Sequence, residues 1–169
     1  LGDVYKRQVM DMALSESESR FRNAFDAAGI GMALVAPDGR WLQVNKALCH
    51  IIGYAEKEML ALSFQEVTHP EDLGADVKYV KKMLKGEIPY YHTEKRYIHK
   101  DGHILWIHLS VSLVKDRQGL PLYFVFQIQD ITHRKQAEEG LRNSETRFKQ
   151  IAESAGEWIW EVDTQGLYT

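Results

Sequence analysis

From Ile104 to Val114 aliphatic residues recur at every second position, with Leu105, Ile107, Leu109, Val111 and Leu113 on one side and Trp106, His108, Ser110 and Ser112 on the other. A period of two belongs to a strand with one face in a core and excludes a helix over that stretch. After the Asp116 to Gly119 turn, Leu122, Phe124, Phe126 and Ile128 repeat the parity against Tyr123, Val125, Gln127 and Gln129. Tyr91 to His99 precedes them and runs into the Lys100-Asp101-Gly102 turn. The last third is therefore predicted to be a meander of three antiparallel strands.

The first half has different punctuation. Gly29 to Val35 is a short apolar run, Pro37-Asp38-Gly39 is a turn and Trp41 to Val44 alternates, so a hairpin is predicted. Asn45 suits the cap of a helix from Lys46 to Ile52 that Gly53 ends. Ala55 to Leu60 is a second short helical piece. His69-Pro70-Glu71-Asp72 opens a third that runs to about Lys85, with Pro and two carboxylates where a helix start favours them. Two strands, short helices and three strands make an α+β fold, a five-stranded antiparallel sheet with short helices on one face.

The chain also repeats itself. Ser17-Glu18-Ser19-Arg20-Phe21 matches Ser144-Glu145-Thr146-Arg147-Phe148, and Ala28-Gly29 and Gly39 match Ala155-Gly156 and Gly166 at the same offset of 127 residues. A period that long marks a duplicated domain with its connector, since solenoid repeats run to about 20 to 50 residues. The lead-in to each copy carries a heptad seam: Met10, Leu14, Ser17, Phe21, Ala24 and Ala28 in the first, Ala137, Leu141, Ser144, Phe148, Ile151 and Ala155 in the second. Each is an amphipathic helix flanking the sheet, either packed on its own domain or paired with a second copy. The expected organisation is a lead and helix over 1–28, in which 1–8 fits no pattern that follows it and reads as non-native, a domain over 29–132, a helical linker over 133–156 and the truncated start of a second domain over 157–169. Trp158-Ile159-Trp160 reads as that copy's opening strand, without partners and so disordered, aggregation-prone or docked on a neighbour. A chain that starts without Met and stops in a strand-like pattern reads as part of something longer.

Composition excludes several classes. A net charge of −3 with no basic block argues against nucleic acid as the partner. One cysteine cannot form a disulfide framework. No run approaches the ~18 to 20 apolar residues of a membrane span, and the first thirty residues lack a signal peptide's apolar centre, so a cytoplasmic location is expected. No nucleophile elbow, phosphate loop or Ser/His/Asp set is present, and Glu94 with Arg96 reads as a surface ion pair, so no catalytic residue is assigned and the fragment is not expected to be an enzyme. His92, His99, His103, His108 and His133 read as surface residues; His99 and His103 flank one turn, but a metal site needs further ligands, and none is assigned.

Taken in order, Pro37-Asp38-Gly39 before Asn45, Gly53-Tyr54, His69-Pro70-Glu71-Asp72, Lys100-Asp101-Gly102 before Trp106, and Asp130-Ile131-Thr132 before Arg134-Lys135 resemble the PAS family with its PAC motif, over about Ser15 to Arg134. The restart at Glu145 resembles a second PAS domain. The resemblance implies a sheet that cups a small cavity, senses a ligand or partner and passes the change through terminal helices to an output domain, in bacteria commonly a histidine kinase or diguanylate cyclase. It also implies a homodimer through the helices and the outer sheet face, with a second PAS domain and an output domain covalently downstream. That outer face, with Trp106, Tyr123 and Val125, is too apolar to sit bare.

Carried over residue by residue, the flavin-binding LOV subfamily's reactive Cys position holds Phe64, its two Asn positions Tyr97 and Ile107, and its Gln position Ile128. A flavin would find its polar edge unpaired, which is costly in a buried site. Cys49 reads as a small buried hydrophobe. The resemblance places a haem-ligating His on the helix before the third strand, and Ala75 to Lys85 has none. What faces inward is Ile52, Phe64, Leu84, Tyr97, Ile107, Leu109, Phe124 and Phe126. These either fill the cup as a packed core or line a site for a small apolar or amphipathic ligand, with Tyr97 as its polar handle. At the exit Asp130 has inward parity, Thr132 can cap the linker helix and Arg134 lies one turn on. By the resemblance, this junction relays the signal.

Overall fold

The computed structural model describes residues 1–164, with side chains through Ala155. It divides into two units, Leu1–Ile131 and the segment from Thr132 onward.

The first unit is led by α1 (Gly2–Ala27), which takes in 2–8 without a break. The strands are β1 (Gly31–Val35), β2 (Trp41–Val44), β3 (Tyr90–Ile98), β4 (Ile104–Lys115) and β5 (Pro121–Asp130), all antiparallel in the spatial order β2-β1-β5-β4-β3. The predicted parity holds in β4, where Leu105, Ile107, Leu109 and Val111 are buried. The intervening helices are α2 (Lys46–Ile52), α3 (Glu56–Leu60), α4 (Phe64–Val67) and α5 (Pro70–Leu84). The turn α4 was not anticipated, although Ser63 and Glu66 carry its signature: the Glu66 carboxylate accepts from the Ser63 N–H at 2.7 Å, a capping box.

Asn45 does more than cap. Its Oδ1 accepts from Leu48 N and Met32 N, both at 2.9 Å, and its Nδ2 donates to Phe25 O at 2.9 Å and Ile30 O at 3.0 Å. This buried amide uses its full bonding capacity to join the end of α1, the start of β1 and the start of α2. Gly53 closes α2 at φ 82°, the left-handed conformation that favours glycine.

The other end of the helical layer is pinned to β3, an edge strand of the sheet. Pro70 opens α5, and Asp72 in its first turn receives the Arg96 guanidinium as a fork, at 3.0 and 2.8 Å, together with the Arg96 backbone N–H at 2.8 Å. Glu71 takes a further bond from the same guanidinium at 2.8 Å, and His69 N–H donates to Arg96 O at 2.9 Å. Backbone groups that an edge leaves open are thereby used. Arg96 also covers the outer-face Trp106 ring at 5.6 Å.

In the second unit α6 (Thr132–Thr164) is a single helix. Its backbone carries through Trp158, Ile159 and Trp160, correcting the expected strand there: a lone strand has no neighbour to complete its hydrogen bonds, whereas a helix satisfies them within itself. Those three side chains, and the expected domain start over 165–169, lie outside the described residues. No helix among the described residues is long and apolar enough to cross a membrane.

Candidate functional site

The concave face of the sheet and the helices above it enclose the expected lining. Ile52, Tyr97, Ile107, Leu109 and Phe126 are fully buried, Phe124 and Phe64 nearly so, and Leu84 is partly buried against them. Phe126 is the hub, with ring centroids of Phe64 at 5.7 Å, Trp41 at 5.9 Å and Phe124 at 6.5 Å. Large rings meeting at these distances fill space.

Among them lies a charged pair that sequence reading missed. Lys95 is 3% exposed and Asp76 2%, and their side chains form an ion pair between β3 and α5. Tyr91 donates its hydroxyl to the other Asp76 oxygen at 2.8 Å, and the Lys95 ammonium also donates to Thr68 Oγ1 at 3.3 Å. The ammonium lies 4.8 Å from the centre of the Tyr97 ring and 5.6 Å from that of Phe64. Burial pushes the Lys95 ammonium below its ordinary value, with Asp76 opposing the shift. The Tyr91 hydroxyl is pushed up by burial and then by the Asp76 charge. Tyr97 Oη is buried without a hydrogen-bond partner, beside a lysine with bonding capacity to spare.

The signal was present in the sequence. Lys95 has the parity of Tyr91 and Tyr97, and Asp76 stands on the buried stripe of α5 with Val80 and Met83. One charge of each sign at inward positions of neighbouring elements is the mark of a buried pair.

The other expected residues are placed as follows. Met10, Leu14, Phe21, Leu141, Phe148 and Ile151 are exposed, as is Ala137, and in α1 it is Phe25, off the seam, that enters the core. Asp130 keeps inward parity but is exposed, because β5 ends there; the next residue, Ile131, is the buried one, its N–H donating to Trp106 O at 2.8 Å. Arg134 lies 3.8 Å from Glu138, one turn along α6, and Thr132 is the first residue of that helix. Cys49 is half-buried, and burial pushes its thiol up. The structure also sets Asp101 between His99 and His103 at the β3–β4 turn, a third group that the sequence reading did not join to them.

Known proteins match this arrangement. Over 148 residues the chain is 47% identical to the probable diguanylate cyclase DgcE of Escherichia coli (strain K12), covering 88% of this chain and 13% of that protein. Over 151 residues it is 30% identical to the sensor histidine kinase TmoS of Ectopseudomonas mendocina, covering 89% of this chain and 16% of that one. The chain thus spans a small part of these relatives. Among solved structures, a sensory box histidine kinase/response regulator from Burkholderia thailandensis E264 superposes with a TM-score of 0.59 at 27% identity, covering 78% of this chain and 98% of that one. The profile of the PAS fold matches residues 42–126, from β2 through most of β5. With the sheet order, the helical layer and half of the sequence in agreement, the chain belongs to the PAS fold family.

Proposed function

We propose that this chain is the non-catalytic sensory input module of a larger bacterial signalling protein of the diguanylate cyclase or histidine kinase type, relaying a change in the cup through α6. The observation that carries this reading is the Lys95–Asp76–Tyr91 network, which joins sheet to helix inside an otherwise apolar cup. A polar ligand group reaching Tyr97 Oη or the Lys95 ammonium would compete with that network and shift β3 against α5. β5 ends at Asp130 and α6 begins at Thr132, so strain in the sheet has one residue, Ile131, to cross before it enters the helix. Asp130, Thr132 and Arg134 are the relay in this reading.

The exposed seams of Met10, Leu14 and Phe21 and of Ala137, Leu141, Phe148 and Ile151 support pairing of two copies. The 127-residue repeat of the lead-in supports a second PAS domain downstream, ahead of the output domain in a cytoplasmic arrangement. A second reading is favoured by the near-zero exposure of the lining: the cup is a packed core, and the domain is a ligand-free dimerisation and relay module.

The test uses the full-length signalling protein, with output read as cyclic diguanylate formed or as phosphorylated histidine. Asp130→Ala is expected to abolish the response to input while leaving the domain's melting temperature nearly unchanged, and a normal response refutes the relay. Replacing the pair together, Lys95→Met with Asp76→Leu, alters the response if the cup senses and leaves it intact if the cup is only core.

A further inference from the structure

The β3–β4 turn, His99-Lys100-Asp101-Gly102-His103, is held in place from both ends. Lys100 N–H donates to Ile52 O at 3.0 Å, and the Lys100 ammonium meets the Glu58 carboxylate at 2.7 Å, so the turn is tied to α2 and α3. The His99 ring lies over Gly53, where a Cβ would run into the imidazole. His103 N–H donates to Asp101 Oδ1 at 3.0 Å. On this frame Nδ1 of His99 and Nδ1 of His103 stand 3.0 and 2.5 Å from Oδ1 of Asp101, with the three donor atoms all within 4.8 Å of one another.

We infer that His99, Asp101 and His103 form a binding site for a divalent transition-metal ion of the zinc class. Two imidazole nitrogens and one carboxylate oxygen are a donor set that zinc accepts, with a fourth position left for water or an incoming side chain. Bonds of about 2.0 to 2.2 Å at tetrahedral angles put neighbouring donors about 3.3 Å apart. The two nitrogen–oxygen separations, 3.0 and 2.5 Å, lie just inside that spacing, so the donors have only to open slightly to admit an ion. The two rings stack with centroids 4.3 Å apart, and His103, 52% exposed, is free to swing open by the small rotation that coordination needs.

Asp101 N–H donates to His99 Nδ1 at 3.2 Å and the Asp101 carboxylate oxygen lies 3.0 Å from the same nitrogen, so the backbone and side chain of Asp101 together hold the His99 ring toward the shared oxygen. The site is independent of the sensory reading, because its ligands lie on an exposed turn outside the cup.

The experiment is a calorimetric titration of the tag-free chain with zinc chloride alone, repeated with cobalt to read tetrahedral coordination from the visible spectrum. One ion per chain is expected. His103→Ala and Asp101→Asn should each weaken binding on the order of tenfold or more. Both positions are exposed, so circular dichroism should show an unchanged fold. The double variant His92→Ala with His108→Ala removes the other neighbouring histidine pair, 6.0 Å apart on the outer face, and should leave binding unchanged. The proposal is overturned by absence of saturable binding at millimolar zinc, by binding that survives His103→Ala, or by binding lost only with His92 and His108.

Discussion

Replacing Asp76 with alanine should be among the most damaging single changes available to this fold. The substitution removes the carboxylate bonded to Lys95 and leaves an ammonium that is 3% exposed with Thr68 as its remaining bonded partner. Breaking a buried pair from one side costs about 3 to 5 kcal/mol, because the surviving charge stays desolvated. Tyr91 also loses its acceptor, worth about 1 kcal/mol. A loss of roughly 4 to 6 kcal/mol is a large share of the ~5 to 15 kcal/mol typical of a domain. The sign differs when both charges go together: Asp76→Leu with Lys95→Met puts apolar side chains of similar size into an apolar surround and should recover most of the loss, or exceed the parent by about 1 kcal/mol. The single variant also acquires a pH dependence. Burial already lowers the Lys95 ammonium, and without Asp76 it is lowered further. The unfolded chain then holds a proton that the folded chain gives up, so stability rises with pH between the lowered folded value and the unfolded value of about 10.4. Urea unfolding followed by circular dichroism at several pH values measures all three quantities. A cost below about 1 kcal/mol for Asp76→Ala, or a double variant no more stable than the single, refutes the reasoning.

Asn45→Ala strands two N–H groups and two carbonyls at the junction of α1, β1 and α2, and should cost about 3 to 4 kcal/mol in urea unfolding. Arg96 holds the Asp72 carboxyl below its usual range, so this contribution is complete above the unfolded value of about 3.9 and is lost as pH falls through the lower folded value. Arg96→Ala should therefore lower the melting temperature at neutral pH, by a margin that narrows in strong acid; a margin that stays constant across that range contradicts the assignment.

Much of this molecule was legible from periodicity and punctuation. The alternation in Ile104–Lys115 determined that strand and its buried face, because side chains two apart must share a side of a sheet. Asn45 and Gly53 bounded α2 because a cap and a left-handed stop act on their own few residues. Tyr97, Ile107, Leu109, Phe124 and Phe126 could be placed in the core because inward parity is a property of each strand taken alone.

What lay beyond the sequence required two elements at once. Lys95 and Asp76 are 19 residues apart, and only the packing of α5 on β3 makes two costly buried charges into one neutral unit. Asp130 has the parity of a buried residue and is exposed, because parity stops deciding burial where the sheet ends. Trp158 to Trp160 reads as an opening strand and sits in a helix, since a strand needs neighbours that a helix does not. In the same way His99 and His103 were visible as a pair, but their meeting at one oxygen of Asp101 depends on a turn that Ile52, Gly53 and Glu58 hold from outside. Local sequence determined which conformation each segment prefers; tertiary packing decided which polar groups would meet, because desolvation and pairing are settled only when distant segments exclude water together.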